Sequence, residues 1–221
     1  MGQGVKIKSL LLIAVLALGL GLPAVCHAAD RIGWADLEPP WDETADPFAS
    51  LTDDQRYDLF DVFEAEAYRK AGVAWDENRE QEARASLEQQ GFDVEALLVQ
   101  AREVDRKLKI REETLVDAVN GKEVQIPGYV LPLEYDGTKT TEFLLVPYVG
   151  ACIHTPPPPT NQIIDVVVEE GYEVNGLFDP VWVTGRITTH AGERSLYLVD
   201  GAANVSVGYA MEATAIEPYS E

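Results

Sequence analysis

The segment Asn120-Gly-Lys-Glu-Val-Gln-Ile-Pro-Gly-Tyr-Val-Leu-Pro-Leu-Glu-Tyr135 decides the fold class, because the periodicity of the sequence changes there. Upstream of it, apolar residues recur at intervals of three and four, which predicts amphipathic helices. Downstream of it, short apolar and β-branched runs alternate with turn-forming residues, which predicts strands. Because Pro127 and Gly128 fall inside the segment, we expect an interruption of the first strand there. The sequence therefore predicts an α+β protein in which helices precede strands.

Three helices are predicted in residues 51–118. Thr52 and Gln55 form a capping box at the start of the first helix, and Gly72 ends it. Asp93 caps the third helix. The predicted helices cover about residues 53–71, 77–90 and 94–113. The first helix carries an apolar stripe that we expect to face the core, made of Tyr57, Phe60, Val62, Phe63, Ala67 and Tyr68.

Residues 119–221 are predicted to form a β-rich domain. The expected strands are 122–135, 140–146, 163–168, 181–189, 196–199 and 205–214. Turns are expected at Asp136-Gly137 and at His190-Ala-Gly192. Because no long helix fits between these runs, we predict a small antiparallel barrel that is closed or nearly closed, a form that protects its strand edges.

The first 28 residues have the organisation of a secretory signal peptide. Two lysines precede an apolar run over residues 10–22, and Cys26 and Ala28 supply small residues for a cleavage site. This run of 13 residues is too short to span a membrane, which takes about 20. Val25, directly before Cys26, disfavours a lipid-modified cysteine. We therefore predict an exported protein that keeps no membrane span after cleavage.

Residues 30–50 are predicted to form an extended arm. Trp34, Pro39-Pro40-Trp41 and Asp46-Pro47-Phe48 follow no sustained period, so neither a helix nor a strand is indicated. The aromatic side chains of the arm either pack against the domain or dock another protein. We favour packing, which is the commoner fate of large aromatic side chains.

The charge of the chain is strongly one-sided, with 38 acidic and 17 basic residues and a formal charge of −21. Removal of the predicted signal peptide takes away two lysines, so the exported chain carries −23. A polyanion repels nucleic acid phosphates and anionic lipid headgroups. The expected partners are therefore cations, metal ions or basic protein surfaces, and nucleic acid is not among them.

The most distinctive segment is Gly150-Ala-Cys-Ile-His-Thr-Pro-Pro-Pro-Pro-Thr-Asn-Gln162. Its four consecutive prolines impose a polyproline II conformation without backbone donors, so the segment is predicted to be a stiff connector. Cys152 and His154 stand just before the prolines. In an extended chain, residues two positions apart point to the same face, so the thiol and the imidazole are expected on one side. The structural residues of the connector are predicted to be Pro156, Pro157, Pro158, Pro159, Asn161 and Gln162.

Three interpretations of Cys152 and His154 stay open at this point. As metal ligands, a thiolate and an imidazole suit zinc or copper, and His190 or acidic side chains would complete the site. As a catalytic pair, the imidazole would activate the thiol as a nucleophile. As structural residues, the cysteine is a small buried hydrophobe and the histidine a hydrogen-bond donor. After cleavage Cys152 is the single cysteine, which excludes an intramolecular disulfide.

The stretches at residues 126–134 and 142–162 resemble the bacterial DUF3299 family of exported proteins of unknown function. The Gly-Ala-Cys-Ile-His sequence with its proline run carries most of the likeness, and the arm around Trp34 is also similar. The resemblance implies an OB-like β-barrel and a periplasmic location. It also implies a link to ATP-binding-cassette (ABC) transport and to zinc-binding periplasmic proteins. Among candidate site residues, Cys152 and His154 match the Cys-x-His motif of the family.

Together these observations predict a non-enzymatic accessory protein of the cell envelope. It would handle a transition metal, zinc or copper, or assist an ABC-type transport system, with Cys152, His154 and His190 as candidate metal ligands. Its expected partner is an ABC transporter component or a periplasmic metal carrier. Two alternatives remain: a thiol-dependent enzyme that uses Cys152 with His154, and an envelope scaffold that binds a peptide or a glycan through the barrel.

Overall fold

The computed structural model describes residues 28–42, 46–133, 139–149, 157–174, 176, 178–198 and 201–219. The predicted signal peptide, except for its last residue, and the predicted turn at residues 136–137 lie outside this part of the chain. The described helices are α1 (Asp53–Ala71), α2 (Glu77–Gln89) and α3 (Val94–Glu113). The described strands are β1 (Asp30–Arg31), β2 (Glu123–Pro132), β3 (Lys139–Val146), β4 (Ile164–Glu173), β5 (Asp179–Leu198) and β6 (Gly201–Pro218). Short 3₁₀ turns cover Trp34–Leu37, Asp117–Val119 and Thr160–Gln162.

The three helices confirm the prediction, and their bounds follow from the local capping residues. The Thr52 side chain accepts a hydrogen bond from the Gln55 backbone, and the Gln55 side chain accepts one from the Thr52 backbone at 2.8 Å. Gly72 ends α1 in the left-handed region, with φ of 69°. The helices share a core of their own, which consists of Leu51, Leu59, Val62, Ala83, Leu87, Val94 and Leu98.

The apolar stripe predicted on α1 is partly wrong. Val62 is fully buried, but Tyr57 and Phe60 are 70 % and 55 % exposed. The buried face of α1 is formed by Leu59, Val62 and Ala65, with Asp61 at its border. Residues 59, 62 and 65 are spaced by three, so they lie on one side of the helix and turn the two aromatic side chains to another.

The strands form one six-stranded sheet in the order β1-β2-β3-β4-β6-β5, and β2 also pairs with β5. The expectation of antiparallel pairing is wrong for two pairs, because β1 is parallel to β2 and β4 is parallel to β6. The parallel pairing of β4 with β6 follows from the path of the chain. β5 does not pair with β4 but runs antiparallel to both β2 and β6, so β6 returns in the direction of β4.

Pro127 and Gly128 do not interrupt β2, which pairs with β5 without a break from Glu123 to Val130. The carbonyl of Pro127 accepts a hydrogen bond from the Trp34 indole at 2.7 Å, so it points away from β5. In a strand the amide nitrogen of a residue points to the same side as its carbonyl, so the missing N–H of the proline removes no bond to β5. Proline has no N–H to donate, but the strand continues because this side of Pro127 faces the arm and its carbonyl bonds the Trp34 indole.

The predicted turn at His190-Ala-Gly192 is also wrong, because β5 continues through it. Thr189 pairs with Tyr209 and Gly192 with Val207, so two residues of β5 face the single Gly208 of β6. This two-against-one arrangement is a β-bulge, which bends a strand and increases its twist without ending it. The two segments predicted as separate strands are therefore one 20-residue strand.

Two apolar clusters lie on the sheet. The larger one joins residues from β2 to β6 with Leu37 of the arm, which is fully buried. The smaller one joins Leu131, Leu144, Val146 and Ile163 to the end of the β5–β6 hairpin through Leu196, Val205 and Val207. The arm thus packs against the sheet. In the described part of the chain, no helix combines the length and the hydropathy that a membrane crossing requires.

A buried carboxylate fixes the hairpin end against β3 and β4. Asp165 on β4 is 2 % exposed and forms an ion pair with the guanidinium of Arg194 on β5. Glu142 on β3 lies 3.3 Å from the same guanidinium. A buried carboxylate is costly without a cation, so the position of Arg194 is tightly constrained.

We predict that Arg194→Met lowers the free energy of unfolding by about 3 kcal/mol, because it leaves the Asp165 carboxylate buried without its cation. The matched control is Arg186→Met on the same strand, where the arginine is 58 % exposed and 3.7 Å from Glu123. An exposed pair of this kind contributes about 0 to 1 kcal/mol. Urea unfolding of both variants tests this, and equal loss in the two would contradict it.

Candidate functional site

The proline-rich connector enters the described part of the chain at Pro157 and ends in a 3₁₀ turn at Thr160–Gln162. Pro158 is buried although its neighbour Pro157 is exposed. The backbone amide of Gln162 donates a hydrogen bond to the Pro159 carbonyl at 2.8 Å and closes the turn. The connector therefore reaches β4 along a defined path between the end of α3 and β6.

Asn161 joins the connector to the C-terminus of α3. Its side chain is 1 % exposed, and its amide donates to the carbonyl of Arg111 at 2.8 Å and to that of Thr114 at 3.2 Å. The last carbonyls of a helix have no partner within the helix, so a side-chain donor is needed where they are buried. Asn161 supplies that donor.

Gln162 joins the connector to the arm. Its side chain is 6 % exposed, and its amide donates to the carbonyl of Trp34 at 3.1 Å and to that of Asn161 at 3.2 Å. Two neighbouring amide side chains thus bind α3 on one side and the arm on the other. These side-chain hydrogen bonds hold the connector in place, although its prolines have no backbone N–H to donate.

Tyr209 of β6 completes the same junction. Its buried hydroxyl donates to the Leu37 carbonyl at 3.0 Å and accepts from the Val116 amide at 2.7 Å. Burial raises the pKa of Tyr209 above its usual value, so the hydroxyl keeps its proton and remains a donor. One side chain therefore connects the sheet, the arm and the segment between α3 and β2.

Gly208 allows the connector to approach β6 closely. A Cβ atom at this position would lie 2.6 Å from the Thr160 carbonyl oxygen and 2.6 Å from a methyl group of Leu115. Neither distance is tolerated, so any side chain here would push the connector away from the strand. The glycine also stands opposite the bulge of β5, which links the two irregular features.

A cavity of about 230 Å³ opens beside the connector. Its walls come from the end of α3, the connector and β6, and it is lined by Lys109, Glu112, Glu113, Pro157, Pro158, Pro159, Thr160, Asn204, Val205 and Ser206. Lys109 bonds Asp105 at 2.8 Å, which raises the pKa of the lysine. Glu112 and Glu113 are exposed and form no ion pair within the described residues. Glu112 also contributes to the raised pKa of Lys109, after Asp105, so the cavity presents two carboxylates beside one lysine.

Cys152, His154 and Pro156 lie outside the described residues. In the sequence, His154 stands three positions before Pro157 and Cys152 five positions before it. The assignment of Cys152 and His154 as metal ligands stays a prediction.

His190, the third predicted metal ligand, is exposed and lies in the bulge of β5. β6 runs between His190 and the connector, because β6 pairs with β5 around this residue while Gly208 contacts Thr160. No hydrogen bond or ion pair of His190 is found within the described residues. In that part of the chain, histidines, cysteines and carboxylates form no group of three able to hold a metal ion.

Sequence reasoning missed Glu112, Glu113 and Tyr209. The two glutamates end a helix, and nothing in their spacing marks them as neighbours of residues more than 40 positions away. Tyr209 belongs to an ordinary apolar run, and its two hydrogen-bond partners are far from it in sequence. By contrast, the sequence predicts a structural role for Asn161 and Gln162, because they closely follow the proline run.

The chain is similar to known proteins of one family. The sequence model of DUF3299, described as a protein of unknown function, matches residues 34–218, which confirms the resemblance found in the sequence. A crystal structure of a DUF3299 family protein from Pseudomonas aeruginosa PAO1 is 26 % identical in sequence, with a TM-score of 0.47. The match covers 88 % of this chain and 99 % of that chain. No curated protein matches the chain.

We predict that Asn161→Ala lowers the free energy of unfolding by about 1 to 3 kcal/mol, because the Arg111 and Thr114 carbonyls lose a buried donor. Asn204→Ala is the control, since Asn204 lines the same cavity but is exposed. Urea unfolding monitored by tryptophan fluorescence measures both. A loss of stability in Asn204→Ala as large as in Asn161→Ala would contradict the assigned role.

Proposed function

Because the chain belongs to the DUF3299 family, whose function is unknown, we propose its function from the residues around the connector: an exported, non-enzymatic accessory protein of the cell envelope that handles a transition metal. The observation that carries the proposal is the cavity lined by Glu112, Glu113 and Pro157, and Pro157 follows the Cys152-x-His154 motif by three positions in the sequence. The metal is the cargo of the protein in this proposal.

The chemistry of the donors supports a transition metal. Thiolate and imidazole are the ligands that zinc and copper prefer, and carboxylate oxygens complete many zinc sites. Calcium and magnesium would need a site built from oxygen ligands alone. Glu112 and Glu113 line the cavity with Pro157, which follows the motif in the sequence, whereas β6 separates His190 from the described part of the connector. We therefore propose Cys152, His154 and one of the two glutamates as ligands.

The rigidity of the connector also supports binding at this place. A ligand set is selective when its members are held by surrounding contacts, and a buried amide pair holds the connector only a few residues after His154. Asn161 and Gln162 bond α3 and the arm, so a metal bound between the motif and the end of α3 would have one wall fixed before it arrives.

We further propose that the sheet is an OB-like barrel. The support is the series of pairings, which begins at β2, passes through β3, β4, β6 and β5, and returns to β2. Because this series returns to its starting strand, β2 to β6 leave no free edge among themselves, and the two-residue strand β1 stands outside the series, paired with β2. For an exported protein, such closure prevents association through exposed strand edges.

The proposed location and partner rest on sequence and charge. The predicted signal peptide supports export to the periplasm. A formal charge of −21 favours a basic surface on the partner, for which we propose a component of an ABC transporter or a metal carrier.

We predict that the chain without residues 1–28 binds one zinc or copper(I) ion, and that Cys152→Ala and His154→Ala abolish binding. The double variant Glu112→Gln and Glu113→Gln should weaken it at least tenfold, because it removes the carboxylate but keeps the shape. Glu169→Gln with Glu170→Gln is the matched control, since this pair is exposed on β4 away from the cavity. Isothermal titration and metal analysis measure the outcome. The proposal is wrong if the wild type binds no metal, or if the two glutamine pairs bind alike.

A second candidate, a scaffold that binds a peptide or glycan through the barrel, is favoured by one observation. Trp34, Tyr129 and Tyr219 line a cavity of about 190 Å³ together with three prolines, and aromatic and proline walls suit sugar rings or extended peptides.

If the scaffold candidate is correct, chitotriose or a proline decapeptide should bind the wild type, and Tyr219→Ala should weaken binding at least fivefold. Tyr148→Ala is the control, because Tyr148 is 44 % exposed and does not line the cavity. Cys152→Ala should bind normally, which separates this candidate from metal handling. NMR titrations that follow amide chemical shifts measure binding by the wild type and the three variants. Unchanged shifts of the wild type with both probes would contradict the scaffold candidate.

A further inference from the structure

Two neighbouring aromatic side chains of α1 face solvent. Tyr57 is 70 % exposed and Phe60 is 55 % exposed. They are three positions apart, so they lie side by side on the helix surface, and a cavity of about 410 Å³ lies against them between Asp53 and Arg56. A single exposed aromatic residue is ordinary, but an adjacent pair with a cavity beside it is typical of an interaction surface. We call this surface, made of Asp53, Tyr57, Phe60 and Glu64, the α1 face.

The carboxylates of α1 fall into two groups. Asp61 and Glu66, which border the other helices, are paired with Arg79 and Arg102 at 2.6 Å. The four other acids of the helix form no ion pair within the described residues, and these are Asp53, Asp54, Asp58 and Glu64. The helix N-terminus accounts for the first two, because negative charge is favourable there. It does not account for Glu64, which belongs to the α1 face, or for Asp58, which lies on another side of the helix.

Arg56, the cation that lines this cavity beside the aromatic pair, is already engaged. Arg56 forms an ion pair with Asp46 at 2.8 Å and donates to the Phe48 carbonyl at 2.7 Å. The Phe48 backbone amide donates to Asp46 at 2.8 Å, and this bond first and the Arg56 contact second lower the pKa of Asp46. The charge of Arg56 is therefore balanced by the arm, and the α1 face keeps an acidic border around an apolar centre.

This combination selects the occupant. A second copy of the chain carries the same charge of −21 and would be repelled. Anionic lipid and nucleic acid are repelled for the same reason. A segment with lysine or arginine and apolar side chains would pair with the acids, cover the rings and make cation–π contacts with them. We propose that the α1 face docks a cationic, amphipathic segment of a partner protein.

This docking goes beyond the proposed metal handling, because it needs neither Cys152 nor a metal. The probe is a 15-residue peptide of lysine and leucine at helical spacing, and its counterpart of glutamate and leucine is the reference. Titrated into the isotope-labelled chain without residues 1–28, the lysine peptide should shift amide signals mainly in residues 53–64. The glutamate peptide should shift none of them.

Variants make the test specific. Tyr57→Ala with Phe60→Ala should weaken binding of the lysine peptide at least tenfold, and Asp53→Asn with Glu64→Gln should weaken it about threefold to tenfold and reduce its salt dependence. Val99→Ala is the matched control, since Val99 on α3 is 61 % exposed and should leave binding unchanged. Both aromatic side chains are exposed, so an unchanged thermal midpoint checks that the double variant folds.

Three results would overturn the proposal. The first is equal binding by the aromatic double variant and the wild type. The second is a shift pattern spread evenly over the acidic surface, which would indicate general attraction to a polyanion. The third is equal loss in Val99→Ala. Normal binding by Cys152→Ala is expected, so failure of the metal proposal leaves this one standing and failure of this one leaves the metal proposal standing.

Discussion

The hydroxyl of Tyr209 is the constraint on which the junction between helices and sheet depends. It is buried in the larger apolar cluster, where a polar atom is tolerated only with hydrogen-bond partners. Its partners are the Leu37 carbonyl of the arm and the Val116 amide after α3. Burial of this tyrosine therefore requires the arm and the end of the helical segment to be in place together. Strands β2 to β6 do not carry those two groups themselves.

The connector adds to the same junction from the other side. Asn161 bonds the last carbonyls of α3, and Gln162 bonds the arm near Leu37. Gly208 permits this approach, because any larger residue would meet the Thr160 carbonyl. The chain that follows Cys152 and His154 in the sequence therefore leads to a region that side-chain hydrogen bonds hold to α3, the arm and β6. A ligand site beside this region would have one side fixed by contacts that form without the ligand.

The sequence predicted the features that are local and failed where partners are distant. The helix bounds follow from Thr52, Gly72 and Asp93, because capping acts over three or four residues. Pro127 wrongly predicts a break because its partner, the Trp34 indole, is 93 positions away in the sequence. The bulge at His190 resembles a turn in sequence, since both use small residues, and only pairing with β6 distinguishes them. In the cavity, the proline run drew attention to Asn161 and Gln162, whereas Glu112 and Glu113 become neighbours only through the fold.

The distribution of charge separates structural carboxylates from those open to ligands. Asp165, Asp61 and Glu66 face arginines, so the fold itself compensates them. The remaining negative charge repels itself, and any cation that binds only the folded state lowers that repulsion and adds stability, about 2.7 kcal/mol at 100 times its dissociation constant. A metal between the connector and the end of α3 would add this stability to the junction that Tyr209 holds. A cationic segment on the α1 face would add it to the helical core, which shares none of its buried apolar residues with the sheet clusters. The two ligands would therefore stabilise different parts of the molecule, and occupation of one site gives no physical reason for a change in affinity at the other.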